Sequence, residues 1–209
     1  MNPTGITAKK IGVGACLWDG ALVLAAYLLT LPRHRFHGAR CVELGAGVGT
    51  AGLVAALLGA QAIITDIPKV LPLLLDNLAA NGFDPAKNGC GSEGQAWAWG
   101  QVIQWGADGW MQGVRSVAAR GIDLVLAADC CYIDQDGESP STPAFVETCA
   151  GLCGPDTVVL VSFERRSPQV RQCFLDESRR RFSRVEKLSL VGLPAALRLE
   201  YVDLWQLRL

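Results

Sequence analysis

Cys41-Val42-Glu43-Leu44-Gly45-Ala46-Gly47-Val48-Gly49-Thr50-Ala51-Gly52 packs a strand, a turn and a helix start into twelve residues. A short β-branched run enters closely spaced glycines, where the missing side chains let backbone approach a ligand and make positive φ cheap. Leu53-Val54-Ala55-Ala56-Leu57-Leu58 continues as a helix whose amino end offers free N–H groups and a positive dipole end to a bound molecule. The next apolar run, Ala62-Ile63-Ile64-Thr65, ends on Asp66, twenty-one residues beyond Gly45. In a βαβ nucleoside site, that position offers a carboxylate to a ribose diol. The spacing therefore reads as a nucleoside-cofactor site.

Two cofactor classes fit. Gly47-Val48-Gly49-Thr50-Ala51-Gly52 matches the dinucleotide fingerprint, which predicts a pyrophosphate on the helix amino terminus. Glu43 shifts the expectation, because its charge would lie near the loop that must receive that pyrophosphate. A cofactor carrying an ammonium and a sulfonium, such as S-adenosylmethionine, tolerates such a carboxylate better. A glycine-rich turn with no ligand is the plain structural alternative.

Outward from this unit, the pattern alternates: strand 40–44, helix 50–58, strand 61–65, helix 69–81, a Gly/Asn/Pro-rich loop at 82–94, and a strand over 95–103. Gln104-Trp105-Gly106 follows, then a polar segment at 107–120 holding Trp110 and Met111. A further strand over 122–128 ends at Asp129, and an irregular loop covers 136–143. A short helix at 144–153, a strand at 157–163 and a helix at 168–181 complete the alternation, which predicts parallel βαβ units. The tail reads as strands at 185–191 and 199–209. The connector between them, Gly192 to Ala196, is too short for a crossover helix, so they should pair antiparallel. The expected fold is a Rossmann-like α/β domain of seven mostly parallel strands, one antiparallel, with helices on both faces.

With 209 residues, half of them apolar, the chain can bury one substantial core, and a single domain over 1–209 is expected. Residues 1–38 would supply an amino-terminal cover and a first helix. The apolar run from Gly20 to Leu31 is too short to span a bilayer. No secretory signal pattern is evident, so a cytosolic or nuclear address is expected. The formal charge of −1 recommends neither nucleic acid nor an anionic membrane as partner. Arg179-Arg180-Arg181 with Arg184 and Lys187 is the dense basic cluster, either a solvated helix face or a docking surface for an acidic protein. Eight cysteines show no zinc-finger spacing, so no metal is expected. Cys149 and Cys153 fall one turn apart and could join Cys130 and Cys131 in a thiol cluster.

Ligands of open α/β sheets sit at the carboxyl ends of the strands, and the chemistry-bearing residues gather there: Gly45 to Gly49, Asp66, Trp105, and Asp129 to Tyr132. Trp105 could stack on an adenine or pack in the core; position alone leaves both open. Glu164-Arg165-Arg166, past the fifth strand, is either a surface ion pair or an anchor for a substrate segment.

Taken together, these stretches resemble the class I, seven-β-strand S-adenosylmethionine methyltransferases, and within them the family-16 protein-lysine methyltransferases. The residues carrying the resemblance are Gly14-Ala15-Cys16-Leu17-Trp18-Asp19-Gly20-Ala21, Val42 to Gly49, Thr65-Asp66, Gln104-Trp105-Gly106, Ala128-Asp129-Cys130-Cys131-Tyr132 and Phe163-Glu164-Arg165-Arg166. The nearest likeness is to the branch that methylates the valosin-containing AAA ATPase. The resemblance implies that Trp18, Gly45, Ala46, Gly47, Asp66, Trp105 and Ala128 contact S-adenosylmethionine, with Glu43 beside them. It implies that Asp129 and Tyr132 flank the methyl-acceptor channel, Asp129 accepting the amine's N–H bonds. The implied partner is a protein substrate such as an AAA ATPase, chaperone or translation factor, met by a monomeric enzyme. A small-molecule methyltransferase, an NAD-dependent oxidoreductase and a binding module with a vestigial cofactor site are the competing readings.

Overall fold

The computed structural model describes residues 12–83, 96–107, 109, 110, 114, 121–133 and 139–209. Five α-helices are described: α1 (Asp19–Thr30), α2 (Thr50–Leu58), α3 (Leu71–Ala80), α4 (Ser141–Leu152) and α5 (Pro168–Arg181). The seven strands are β1 (Arg40–Leu44), β2 (Gln61–Asp66), β3 (Trp97–Val102), β4 (Leu124–Ala128), β5 (Val158–Glu164), β6 (Arg184–Lys187) and β7 (Val202–Arg208). They form one sheet in the order β3-β2-β1-β4-β5-β7-β6, all parallel except β7. The chain turns left from β1 to β2 and right from β1 to β4, so the switch in strand order lies between β1 and β4. Crevices for ligands open at such points.

Burial on both faces explains why the central strands β4 and β5 are mostly apolar, whereas the edge strand β6 is charged and exposed at both ends. On one face, Cys41, Ala62, Ile64, Leu124, Leu126 and Leu160 pack with Leu24 and Leu28 of α1, Ala51 and Ala55 of α2, and Leu74 and Leu78 of α3. On the other, Val42, Leu44, Val125, Ala127, Val159, Val161 and Phe163 meet Phe145 and Val146 of α4 and Phe174 of α5. Neighbouring residues of β1 thus serve opposite cores, the period-two rule of a strand. No helix among the described residues is long and apolar enough to cross a membrane.

Element ends differ from the sequence expectation in a few places. α4 starts at Ser141, where the sequence reads as loop up to Pro143. Pro143 lies in the first helical turn, where N–H groups have no intrahelical partner, so its missing donor costs nothing. β6 stops at Lys187 rather than Val191. Trp110 of the polar segment lies against α4: a Cβ on Gly151 would stand 2.9 Å from Trp110 Cζ2. Residues 84–95 and 134–138, parts of the two expected loops, lie outside the described residues, as do Met111 and Cys90.

The seam between α1 and the sheet fixes the rim described next. Ser162 Oγ donates to the Gly20 carbonyl at 2.7 Å, and the Gly20 N–H donates to Asp129 Oδ2 at 2.9 Å. A Cβ on Gly20 would stand 2.2 Å from that oxygen. Gly20→Ala is therefore expected to lower the thermal midpoint of the free protein by several degrees, read by calorimetry. An unchanged midpoint would mean that α1 does not dock this closely.

Candidate active site

The turn after β1 is built as its glycines require. Gly45, Gly47 and Gly49 have φ of 59°, 56° and 84°, a left-handed region that costs other residues about 1 kcal/mol or more. A Cβ on Gly45 would meet Cys130 Sγ at 2.7 Å and Trp105 Cζ2 at 2.8 Å. The Ala46 N–H donates to the Thr65 carbonyl and the Gly49 N–H to the Ala46 carbonyl, which ties the turn to β2 and to itself.

Glu43 lies beneath the helix that follows. It is 1% exposed, and its Oε2 accepts the Gly52 N–H at 2.8 Å. A Cβ on Gly52 would stand 2.5 Å from that oxygen, so the glycine admits the carboxyl. Burial pushes the Glu43 carboxyl up to about 8, with the Gly52 and Ala51 N–H groups opposing and the nearby Asp66 charge adding to the rise. Near pH 7 the group is then largely protonated. The charge argument drawn from Glu43 in the sequence is thereby revised. What disfavours a pyrophosphate is occupancy, because side-chain oxygen already holds the amino end of α2 where the phosphates would bind.

Asp66, at the end of β2, closes the other side. Its Oδ2 accepts the Gly47 N–H at 2.7 Å and its Oδ1 accepts the Ile67 N–H at 2.7 Å. The residue is 9% exposed, and burial raises its carboxyl above the usual range while these two N–H groups pull it down. A carboxylate has about four lone-pair directions. Two are used, so each oxygen retains capacity for a hydroxyl. That pair of acceptors fits the hydroxyls of a vicinal diol, and exposed Ile67 beside it offers apolar surface to a flat base.

Across the switch point, Asp129 takes φ of 53°, alone in that region among the described non-glycine residues. Its Oδ1 accepts the Glu164 N–H at 2.9 Å, its Oδ2 takes Gly20 as above, and its own N–H donates to the Ser162 carbonyl. Its side chain is 4% exposed, with an Arg166 nitrogen 3.9 Å away. Burial raises the carboxyl, and the Glu164 N–H and the Arg166 charge oppose the rise. Each oxygen thus holds one backbone N–H and, as at Asp66, retains a lone-pair direction, which is compatible with the expectation that Asp129 accepts the amine's N–H bonds. Asp129 also pins α1, β4 and β5 together.

Tyr132, three residues on, is 48% exposed and stands on the rim. Ile133, the next residue, is also exposed, as is Leu17 just before α1. Ala128 ends β4 half-buried. Trp105 packs on Phe145, ring centroids 5.1 Å apart, with its six-membered ring edge against Gly45. It therefore both seals the core and walls the glycine turn. Trp18 lies under the Arg166 guanidinium, 4.3 Å from its carbon, and Arg166 also pairs with Glu164 at 2.8 Å. The Gly14 carbonyl approaches Gly47, where a Cβ would stand 3.1 Å away, so the segment before α1 overlies the turn. The Arg166 stacking went unread in the sequence, since nothing local links residues 18 and 166. Cys130, Cys131 and Cys149 are buried, and burial raises their thiols, Cys131 to about 12, so they are poor nucleophiles.

Strand order, glycine turn and Asp66 together form a Rossmann-like sheet rim that fits a nucleoside-bearing cofactor. A solved TehB-like SAM-dependent methyltransferase from Corynebacterium glutamicum shares the fold, with a TM-score of 0.54 at 14% identity over 92% of this chain and 88% of that one. A lysine methyltransferase family model matches residues 6–181. Protein N-lysine methyltransferase METTL21A of Danio rerio is 37% identical over 84% of this chain and 71% of its own length. EEF1A lysine methyltransferase 3 of Mus musculus is 33% identical over 79% and 62%. The chain thus belongs to the lysine methyltransferase family, and it spans about two thirds of the length of these two relatives.

Two outcomes test this geometry. Because the folded Glu43 pKa of about 8 lies above its ordinary 4.5, the folded state keeps a proton that the unfolded chain releases between those values. The contribution is complete below pH 4.5 and disappears as pH rises through 8, with a slope of up to about 1.4 kcal/mol per pH unit. Urea unfolding at pH 5.5 and 8.5 should show Glu43→Gln losing less stability at the higher pH than the wild type; parallel losses would place the carboxyl in water. Asp129→Ala should cost about 1–3 kcal/mol by leaving two buried N–H groups without acceptors. Full retained stability would contradict the bonds to Gly20 and Glu164.

Proposed function

We propose that the rim between β1 and β4 transfers a methyl group to a lysine side chain of a protein substrate. The observation that carries this reading is Asp66, with spare acceptor capacity beside Gly47, together with the exposure of Ile67 just after β2 and of Tyr132 and Ile133 just after β4. Apolar side chains left exposed at the carboxyl ends of these strands are within reach of a protein chain.

S-adenosylmethionine, when bound, supplies a methyl carbon on a cationic sulfur. Asp66 would hold the ribose hydroxyls, Gly45, Ala46 and Gly47 would let the cofactor lie against backbone, and Trp18, Trp105 and Ala128 would enclose it. Glu43 supports the turn from beneath. Lysine has a reference pKa near 10.4, so only about one side chain in a thousand is neutral at pH 7 and able to attack. Apolar walls help by removing water around the amine, which favours its uncharged form. Asp129 would accept the amine's N–H bonds and orient it while holding the backbone of α1 and β5, and Tyr132 would form part of that wall.

Of the expected acceptor classes, a translation factor has support in the name of the Mus musculus relative. An AAA ATPase or chaperone rests on the sequence resemblance, as does the likeness to the branch acting on the valosin-containing ATPase. A monomer working in the cytosol or nucleus, without nucleic acid or membrane, completes the proposal.

Incubating the purified protein and radiolabelled cofactor with a lysate should label protein, and mass spectrometry of the labelled peptide should find methyl on lysine. Label confined to small molecules would overturn the reading. Asp66→Ala should weaken S-adenosylmethionine binding by roughly 1–3 kcal/mol, as expected for lost charged hydrogen bonds. Unchanged affinity by equilibrium dialysis would remove Asp66 from the ribose.

A further inference from the structure

Asp203 stands in an apolar strand, and three cations converge on it. Its side chain is wholly buried; Lys187 Nζ lies 2.5 Å from Oδ1, Arg171 Nε 2.8 Å from Oδ2 and Arg165 Nε 3.5 Å from Oδ1. The three basic side chains remain 46%, 36% and 43% exposed, respectively. One carboxylate cannot neutralise three cations, so the cluster carries an excess of about two positive charges at the surface. Of the acidic residues near it, Glu164 pairs with Arg166 and Glu186 with Arg184, while Glu200 accepts from Arg165 through its backbone carbonyl.

The cluster adjoins the site. Arg165 directly follows β5 and donates its N–H to the Tyr201 carbonyl, Lys187 ends β6, and Arg171 sits in the first turn of α5. β5 and β6 run in the same direction, so all three residues lie at the carboxyl edge of the sheet. Glu164, one residue before Arg165, is the residue whose N–H Asp129 holds. The buried anion also fixes the cations in place: Arg171 is further held over the Trp205 ring, 5.5 Å from its centroid. Cations held in place before binding lose little side-chain freedom on meeting an anionic partner.

We infer that Arg165, Arg171 and Lys187 form a docking surface for acidic residues flanking the acceptor lysine, so that the preferred substrate is a lysine within an acidic protein segment. This rests on the lysine-transfer reading above and narrows its substrate class. Protein carboxylates suit the surface better than nucleic acid, because three clustered cations on a chain of net charge −1 give no extended path for a phosphate backbone. The basic run at the far end of α5 is a different surface. Arg180 and Arg181 pair there with Glu177, and a helix places Arg180 about 13 Å from Arg171.

Two fluorescein-labelled peptides test the inference, each with a central lysine flanked on one side by four glutamates or by four glutamines. Binding is followed by anisotropy at low and physiological salt, and methyl transfer to each peptide with radiolabelled cofactor. The glutamate peptide should bind and accept methyl at least fivefold better, with the advantage shrinking as salt rises. Arg165→Gln and Lys187→Gln, each leaving Asp203 two cations, should each remove most of that advantage, and Arg179→Gln should not. Equal binding of the two peptides would overturn the inference, as would loss through Arg179→Gln in place of the other two. Displacement of the glutamate peptide by an oligothymidine at lower concentration would also overturn it, in favour of nucleic acid. Selective glutamate binding with no transfer to any lysine would uphold the surface and sink the lysine-transfer reading instead.

Discussion

Glu43 beneath the amino end of α2 is the contact on which the site depends. A helix amino end exposes N–H groups that need acceptors, and in a nucleotide-binding turn a phosphate can satisfy them. Here the Gly52 N–H is satisfied by a side chain from β1. That acceptor takes one of the N–H groups that a pyrophosphate would use in a glycine pattern shared with dinucleotide sites, and so disfavours one here. It also helps explain Gly52, where a Cβ would meet both that carboxyl and the Ile64 side chain.

Around that contact the rim is assembled from carboxylates that bind backbone. Asp66 takes the N–H groups of Gly47 and Ile67, and Asp129 takes those of Gly20 and Glu164. Each links segments distant in sequence, and each is buried against the tendency of a carboxylate to stay in water. Asp66 ends β2 and Asp129 follows β4, so the two stand on either side of the turn after β1. Toward the outer edge the sign reverses, and Asp203 gathers cations. The carboxyl edge of the sheet therefore runs from an acidic, apolar-walled cleft to a basic margin.

Sequence carried most of the fold because its signals are local. β1, α2 and α5 begin and end at the residues that periodicity and glycine placement imply, and Asp66 falls where the strand stops. The start of α4 was obscured by Pro143, whose tolerance in a first turn a loop reading ignores. Glu43 was legible in principle: it alternates with Val42 and Leu44 in a strand buried on both faces, so it had to point into a core and find a donor there. Asp203, alone and charged between Val202 and Leu204, carried the same signal. The engagement of Asp129 with Gly20 was not legible, since it joins residues 109 positions apart through the docking of α1.

The central claim, that the amino end of α2 is filled from within while Asp66 faces a ribose, is tested most directly by calorimetric titration of the purified protein with S-adenosylmethionine and with NAD. Saturable heat with the first and none with the second is the expected result. Binding of NAD, or silence with S-adenosylmethionine, would contradict the placement of both carboxyls.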